Sequence, residues 1–222
     1  MDQELPASSL GTKSHWDTAY QDEITNFHHH GDTGEVWFGA RITRKVVDWI
    51  VKSCGSEKTA NILDLGCGNG HTLLLLHEQQ FRNLTGIDYS EQAVALATSI
   101  ASQQNAAIQF SVMDILNSSP ADALTSANYD FVIDKGTFDA ICLNPSMSIG
   151  QSKPLYVQFV QSSLKSNGFF IVTSCNWTKE ELLNHFSEHF ILVDEIASPS
   201  LTFGGKEGSR VTTLIWQRKM PV

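Results

Sequence analysis

Asn61-Ile-Leu-Asp-Leu-Gly-Cys-Gly-Asn-Gly70 is the stretch on which the reading of this chain turns. Asn61 to Leu65 is an apolar run too short for a helix, and glycines end it, so it reads as a buried strand that breaks into a turn. Thr72 to Leu76 then reads as the opening of a helix. A strand, a glycine turn and a helix start leave unpaired backbone N–H groups beside a surface without side chains, which a nucleotide or sugar can approach closely. The spacing narrows the ligand. A dinucleotide fingerprint needs a third glycine where His71 stands, and no Gly-Lys-Ser/Thr follows to make a P-loop. Asp64, just ahead of the glycines, would repel a pyrophosphate but suits a ligand carrying an ammonium and a sulfonium.

The pattern Asp64-x-Gly66-x-Gly68-x-Gly70 resembles the first motif of the Rossmann-like, seven-strand class of S-adenosylmethionine (SAM) methyltransferases. The rest of the chain fits an α/β domain of that kind. Asn83 to Asp88, Ile108 to Val112, Tyr129 to Asp134 and Gly168 to Ser174 read as strands. Between them, Ser90 caps a helix running to about Gln104, and Pro154 to Leu164 fits a helix with proline in its first turn. Thr178 and Glu181 form a capping box for a helix over Lys179 to Phe186. Alternating strands and helices with short connections give a mostly parallel sheet covered on both faces. Phe190 to Ile196 and Val211 to Trp216, joined by an irregular glycine-rich loop, suggest a C-terminal antiparallel hairpin.

Ahead of the first strand, Arg41 to Ser53 places Ile42, Val46, Trp49 and Ile50 at helical spacing, and Cys54-Gly55 ends that helix. Residues 1–13 are polar with Pro, Ser and Gly and are expected to be a disordered tail. The segment 14–40 carries Trp16, Tyr20, Phe27, Trp37 and Phe38, too aromatic for a solvated tail, and is expected to be a lid on the domain that spans 14–222. Within it, His28-His29-His30 reads as a solvated loop and not a metal site, since no cysteine or carboxylate set completes a ligand geometry.

The 222 residues are enough for one domain with a large core. A net charge of −9 disfavours a broad phosphate-binding surface, so no direct nucleic-acid partner is expected. Cys54, Cys67, Cys142 and Cys175 form no CxxC pair and read as reduced thiols, and no apolar run approaches membrane-spanning length. A cytoplasmic monomer without membrane attachment is the simplest expectation.

In open α/β sheets ligands lie at the carboxyl ends of the strands, so polar residues there are the site candidates. Asp88, about 20 residues beyond the glycines, stands where an acid accepts hydrogen bonds from ribose hydroxyls. Asp114 is placed to accept from an adenine amino group, with Met113 packing near the ring. Asp134 ends the fourth strand beside the expected methyl position. No Asn/Asp-Pro-Pro-Tyr/Trp tetrapeptide and no Pro-Cys nucleophile occurs, so nucleobase methylation lacks its usual signatures.

Five stretches together narrow the family: Glu35-Val-Trp-Phe-Gly39, the glycine motif, Gly86-Ile-Asp-Tyr-Ser90, Ile133-Asp-Lys-Gly-Thr-Phe-Asp-Ala-Ile141 and Thr173-Ser-Cys-Asn-Trp-Thr-Lys-Glu-Glu-Leu182. They resemble the protein-lysine methyltransferases that modify translation elongation factor 1A, over about Ser14 to Trp216. The resemblance implies SAM bound by Asp64, Gly66, Gly68, Gly70 and Asp88, with Trp37 and Phe38 closing over it; Tyr89, Met113 and Asp114 complete the expected cofactor site. It also implies elongation factor 1A as the protein substrate. At the substrate end the candidates are Asp134, touching both cofactor and amine, and Phe138 and Trp177 as aromatic walls. A free lysine is almost fully protonated at neutral pH, and apolar walls favour the neutral amine that can attack. Two other readings share the cofactor features: a small-molecule methyltransferase, and a non-catalytic partner of the same fold.

Overall fold

The computed structural model describes residues 4–118, 129–198, 200–203, 206–209 and 211–219. Strand β1, Asn61–Leu65, is buried from Ile62 onward and pairs in parallel with both β2, Asn83–Asp88, and β4, Tyr129–Lys135. Outside β2 lies β3, Gln109–Val112, and outside β4 lies β5, Leu164–Ser174. The sheet ends with β6, Phe190–Ile196, and a short hairpin of β7, Ser200–Phe203, and β8, Lys206–Ser209, precedes β9, Thr212–Arg218. β9 inserts between β5 and β6, giving the order β3-β2-β1-β4-β5-β9-β6, and it alone runs against the other six. The chain leaves β1 toward β3 and returns to β4 on the other side, so the topological switch point lies between β1 and β4.

Period-two alternation divides the core. Val132, Phe170, Val172, Leu214 and Trp216 face one side, where they meet α5, Thr137–Cys142, α6, Ile149–Ser163, and α7, Lys179–Phe186. Phe131, Ile133, Ile171 and Ile215 face the other, under α2, Ala40–Cys54, and α3, His71–Glu78. Helix α2 meets this layer with Val46, Val47 and Ile50. Helix α1, Lys13–His30, packs on α4, Glu91–Gln103, with Tyr20 buried against the α4 residues Ala93, Leu96 and Ile100. No helix among the described residues is long and apolar enough to cross a membrane.

Four expectations need correction. The amino-terminal stretch is ordered well before Lys13: Leu5 packs against the core, Ser9–Gly11 form a 3-10 turn, and the Ser8 amide donates to the Leu143 carbonyl. The three histidines are the last turn of α1, not a loop, and Gly31 closes that turn in the left-handed conformation. Helix α6 starts at Ile149 with a Ser148–Gln151 capping box, which puts Pro154 inside it, where it forfeits the bond that would have reached Gly150. The connection before β9 holds the β7–β8 pair instead of an irregular loop, although Gly204 and Gly205 lie outside the described residues.

Candidate active site

The cleft opens along the carboxyl ends of β3, β2, β1, β4 and β5. At its centre is the glycine turn after β1, whose Gly66 and Gly68 have φ of +60° and +54°, a region that L side chains rarely adopt. The turn is also packed tightly by its own protein. A Cβ at Gly66 would lie 2.1 Å from Thr137 Oγ1, and one at Gly68 would lie 2.5 Å from the Tyr20 hydroxyl oxygen. Gly70 does not line the cleft; it lets the start of α3 approach Phe110.

Asp88 ties the turn to β2. Its Oδ2 accepts from the Gly68 amide at 3.1 Å and its Oδ1 from the Ser90 amide at 2.9 Å. Burial pushes this carboxyl up to about 6, and the two amides hold the rise in check. Tyr89, Met113 and Asp114 continue the wall. Asp114 caps its own turn, accepting from the Leu116 amide and the Asn117 side chain, while still facing the cleft.

Beneath the turn, Asp64 is buried and does not line the cleft. Burial raises it to about 7 against the pull of the Lys135 cation, and the same burial lowers the Lys135 ammonium. Lys135 does line the cleft. Its Nζ donates to the Trp37 carbonyl at 3.4 Å and lies 6.0 Å from the centre of the Phe38 ring. Asp64 therefore acts on the cleft through Lys135 and does not itself reach it.

The aromatic amino-terminal segment forms the roof. Asn69 Nδ2 donates to the carbonyls of Thr33 and Glu35, pinning the strap before α2 to the glycine turn. Trp37 meets Trp16 edge-on at 5.1 Å, and Trp16 Nε1 donates to the Leu10 carbonyl at 2.7 Å. Leu10 and Gly11 thereby become lining residues, along with Trp37 and Phe38. The sequence reading missed Asn69, Leu10 and Gly11. Asn69 had a signal, being an amide side chain between two glycines of the motif; Leu10 had none.

The three residues expected at the substrate end are not in the cleft. Asp134 is fully buried, with Oδ1 accepting from the Thr137 amide and Oδ2 from the Phe138 amide and the Tyr156 hydroxyl. It is the acid that starts α5, a short helix the sequence reading did not assign. Phe138 and Trp177 are buried in the aromatic core around Tyr156, His185 and Phe186. That end of the cleft is instead lined by Asp139, Ala140, Leu143, Asn144, Cys175 and Asn176.

Strand order, the glycine turn beside the switch point and an acid closing β2 define a Rossmann-like methyltransferase domain. A family model described as a methyltransferase domain matches residues 56–218. The solved N-methyltransferase NodS from Bradyrhizobium japonicum, in complex with S-adenosyl-L-homocysteine (SAH), shares the fold with a TM-score of 0.65 at 14% identity, covering 91% of this chain and 99% of that one. Human "EEF1A lysine methyltransferase 2" is 44% identical over 212 residues, 95% of this chain and 87% of the relative. Protein-lysine N-methyltransferase EFM4 of Saccharomyces cerevisiae is 35% identical, covering 97% of each chain. The chain belongs to this family of protein-lysine methyltransferases.

Proposed function

We propose that the protein methylates a lysine side chain of translation elongation factor 1A, with SAM as the methyl donor. The observation that carries this is the 44% identity to the human EEF1A methyltransferase across nearly the whole chain. Cofactor features support it: the glycine turn, Asp88, Tyr89, Met113 and Asp114 line one continuous cleft at the carboxyl ends of the strands. Asp88 keeps acceptor capacity for ribose hydroxyls, Tyr89 and Met113 offer apolar surface for a base, and Asp114 offers an acceptor for its amino group. When bound, the cofactor supplies a methyl group on a positively charged sulfur. The chain's task is then positioning and exclusion of water. Trp37 and Phe38 cover the cleft, and the Lys135 cation at its wall disfavours a charged amine nearby. Four free thiols fit a reducing compartment, and we place the activity in the cytoplasm. The test is incubation with labelled SAM and recombinant elongation factor 1A, followed by mass spectrometry of the peptides. Label on a lysine is expected; unlabelled elongation factor would overturn the substrate.

A further inference from the structure

Four carboxylates line the cleft among the described residues: Glu35, Asp88, Asp114 and Asp139. Glu35 belongs to the strap, and Asp88 and Asp114 follow β2 and β3, on the nucleoside side of the switch point. Asp139 lies on the opposite side, in the first turn of α5 beyond β4. It is held from β5: Oδ1 accepts from the Ser174 hydroxyl at 2.6 Å, and Oδ2 from the Cys175 amide at 2.8 Å and the Cys175 thiol at 3.4 Å. Ser174 Oγ in turn accepts from the amides of Asn176 and Trp177, so one hydroxyl fixes both the acid and the turn that carries Asn176. Asn176 lines the cleft beside it, with its side-chain Oδ1 3.7 Å from the Cys175 thiol.

We infer that Asp139 and Asn176 receive the substrate amine, and that Ser174 is the positioning residue that holds them; this rests on the lysine-methylation reading above. A neutral lysine nitrogen has two N–H bonds and one lone pair. Two acceptors on one wall take the two hydrogens and turn the lone pair toward the rest of the cleft, where the methyl donor lies. A carboxylate on this wall also attracts the incoming ammonium, with apolar Ala140 and Leu143 beside it. The Asp134 carboxylate has neither property, because it is fully buried and no face of it reaches the cleft.

The experiment compares wild type, Asp139→Ala, Asp139→Asn, Asn176→Ala and Ser174→Ala in methyl transfer to recombinant elongation factor 1A, with SAH affinity by calorimetry on the same proteins. Asp139→Ala is expected to lower kcat/KM roughly ten- to hundredfold, the loss of a charge-assisted hydrogen bond, with SAH affinity within about twofold of wild type. Asn176→Ala and Asp139→Asn should fall between, and Ser174→Ala should raise KM while Asp139 remains. If Asp139→Ala does not fold, Asn176→Ala and Asp139→Asn decide the matter on the same criterion. Variants that keep kcat/KM within about threefold of wild type, or that lose SAH affinity in step with activity, overturn the assignment. A wild-type protein that transfers nothing to elongation factor 1A removes the substrate reading, and this inference with it.

Discussion

Both oxygens of Asp134 are occupied by the start of α5 and by Tyr156, in a site with no solvent. Asp134→Ala should therefore lower stability, by about 2–4 kcal/mol, since it strands a buried tyrosine hydroxyl and two amides. Urea unfolding measures this, and SAH affinity of the folded fraction should stay near wild type. A variant of normal stability but no activity would return Asp134 to the chemistry. Asp88 makes the opposite case. Its carboxylate faces the cleft and must be ionised to accept from two hydroxyls, yet burial has raised it to about 6. SAH affinity should therefore be flat at neutral pH and fall as pH drops through about 6, and Asp88→Asn should remove that limb. Asp88→Ala should weaken SAH binding by about 1–3 kcal/mol at pH 7.5. Calorimetry across pH checks both; an unchanged affinity in Asp88→Ala would take the ribose role from this residue.

Elements whose signals are local were legible in the sequence. β2, α4 and α7 fall on or within a residue of the expected positions, because a short buried run, Ser90 as an N-cap and the Thr178–Glu181 capping box are each contained within a few positions. α5 was not legible: it is six residues long, and what holds it is the buried Asp134 at its start and the aromatic core beneath Phe138. The same limit hid the roof. Leu5 and Leu10 sit in a stretch whose composition reads as a tail, and the Trp16 indole, the Leu143 carbonyl and the core beneath Leu5 give it a place. The cofactor half of the site was legible from glycine spacing and strand-end acids. The substrate half was not, because which of Asp134 and Asp139 faces the cleft depends on the turn of a short helix. Deleting residues 1–11, while keeping Thr12 as the cap of α1, should weaken SAH binding and slow transfer, although α1 still folds. A Cβ on Gly11 would lie 2.2 Å from the Leu143 carbonyl carbon, so Gly11→Val should act in the same direction. If both proteins bind SAH and turn over as wild type does, the 3-10 turn is no part of the roof.

Across the whole molecule, the carboxyl edge of the sheet gathers acids that the fold keeps from water. Burial raises Asp64 and Asp134 to about 7 and Asp88 to about 6, and it raises Asp139 and Glu23 as well. Each of these groups binds a proton in the native state at pH values where the unfolded chain has already released it. Stability must then rise as pH falls from about 7.5 toward 5, the reverse of a group stabilised by a salt bridge. His71 opposes this, since burial lowers it and the unfolded chain takes up its proton first, but one imidazole stands against five carboxyls. The exposed acids Glu181 and Asp194, held low by Thr178 and the Trp49 indole, contribute stability that is lost only below the ordinary carboxylate range. The melting midpoint of the ligand-free protein should accordingly be higher at pH 5.5 than at pH 7.5, by about 3 °C or more if the net gain reaches about 1 kcal/mol. SAH should reverse the trend, because binding requires ionised Asp88 and its stabilisation is largest at the higher pH. Scanning calorimetry with and without SAH at the two pH values separates these effects. A ligand-free midpoint that falls on going from pH 7.5 to 5.5 would mean that the strand-end acids are already ionised in the native state, with compensation from groups other than Lys135.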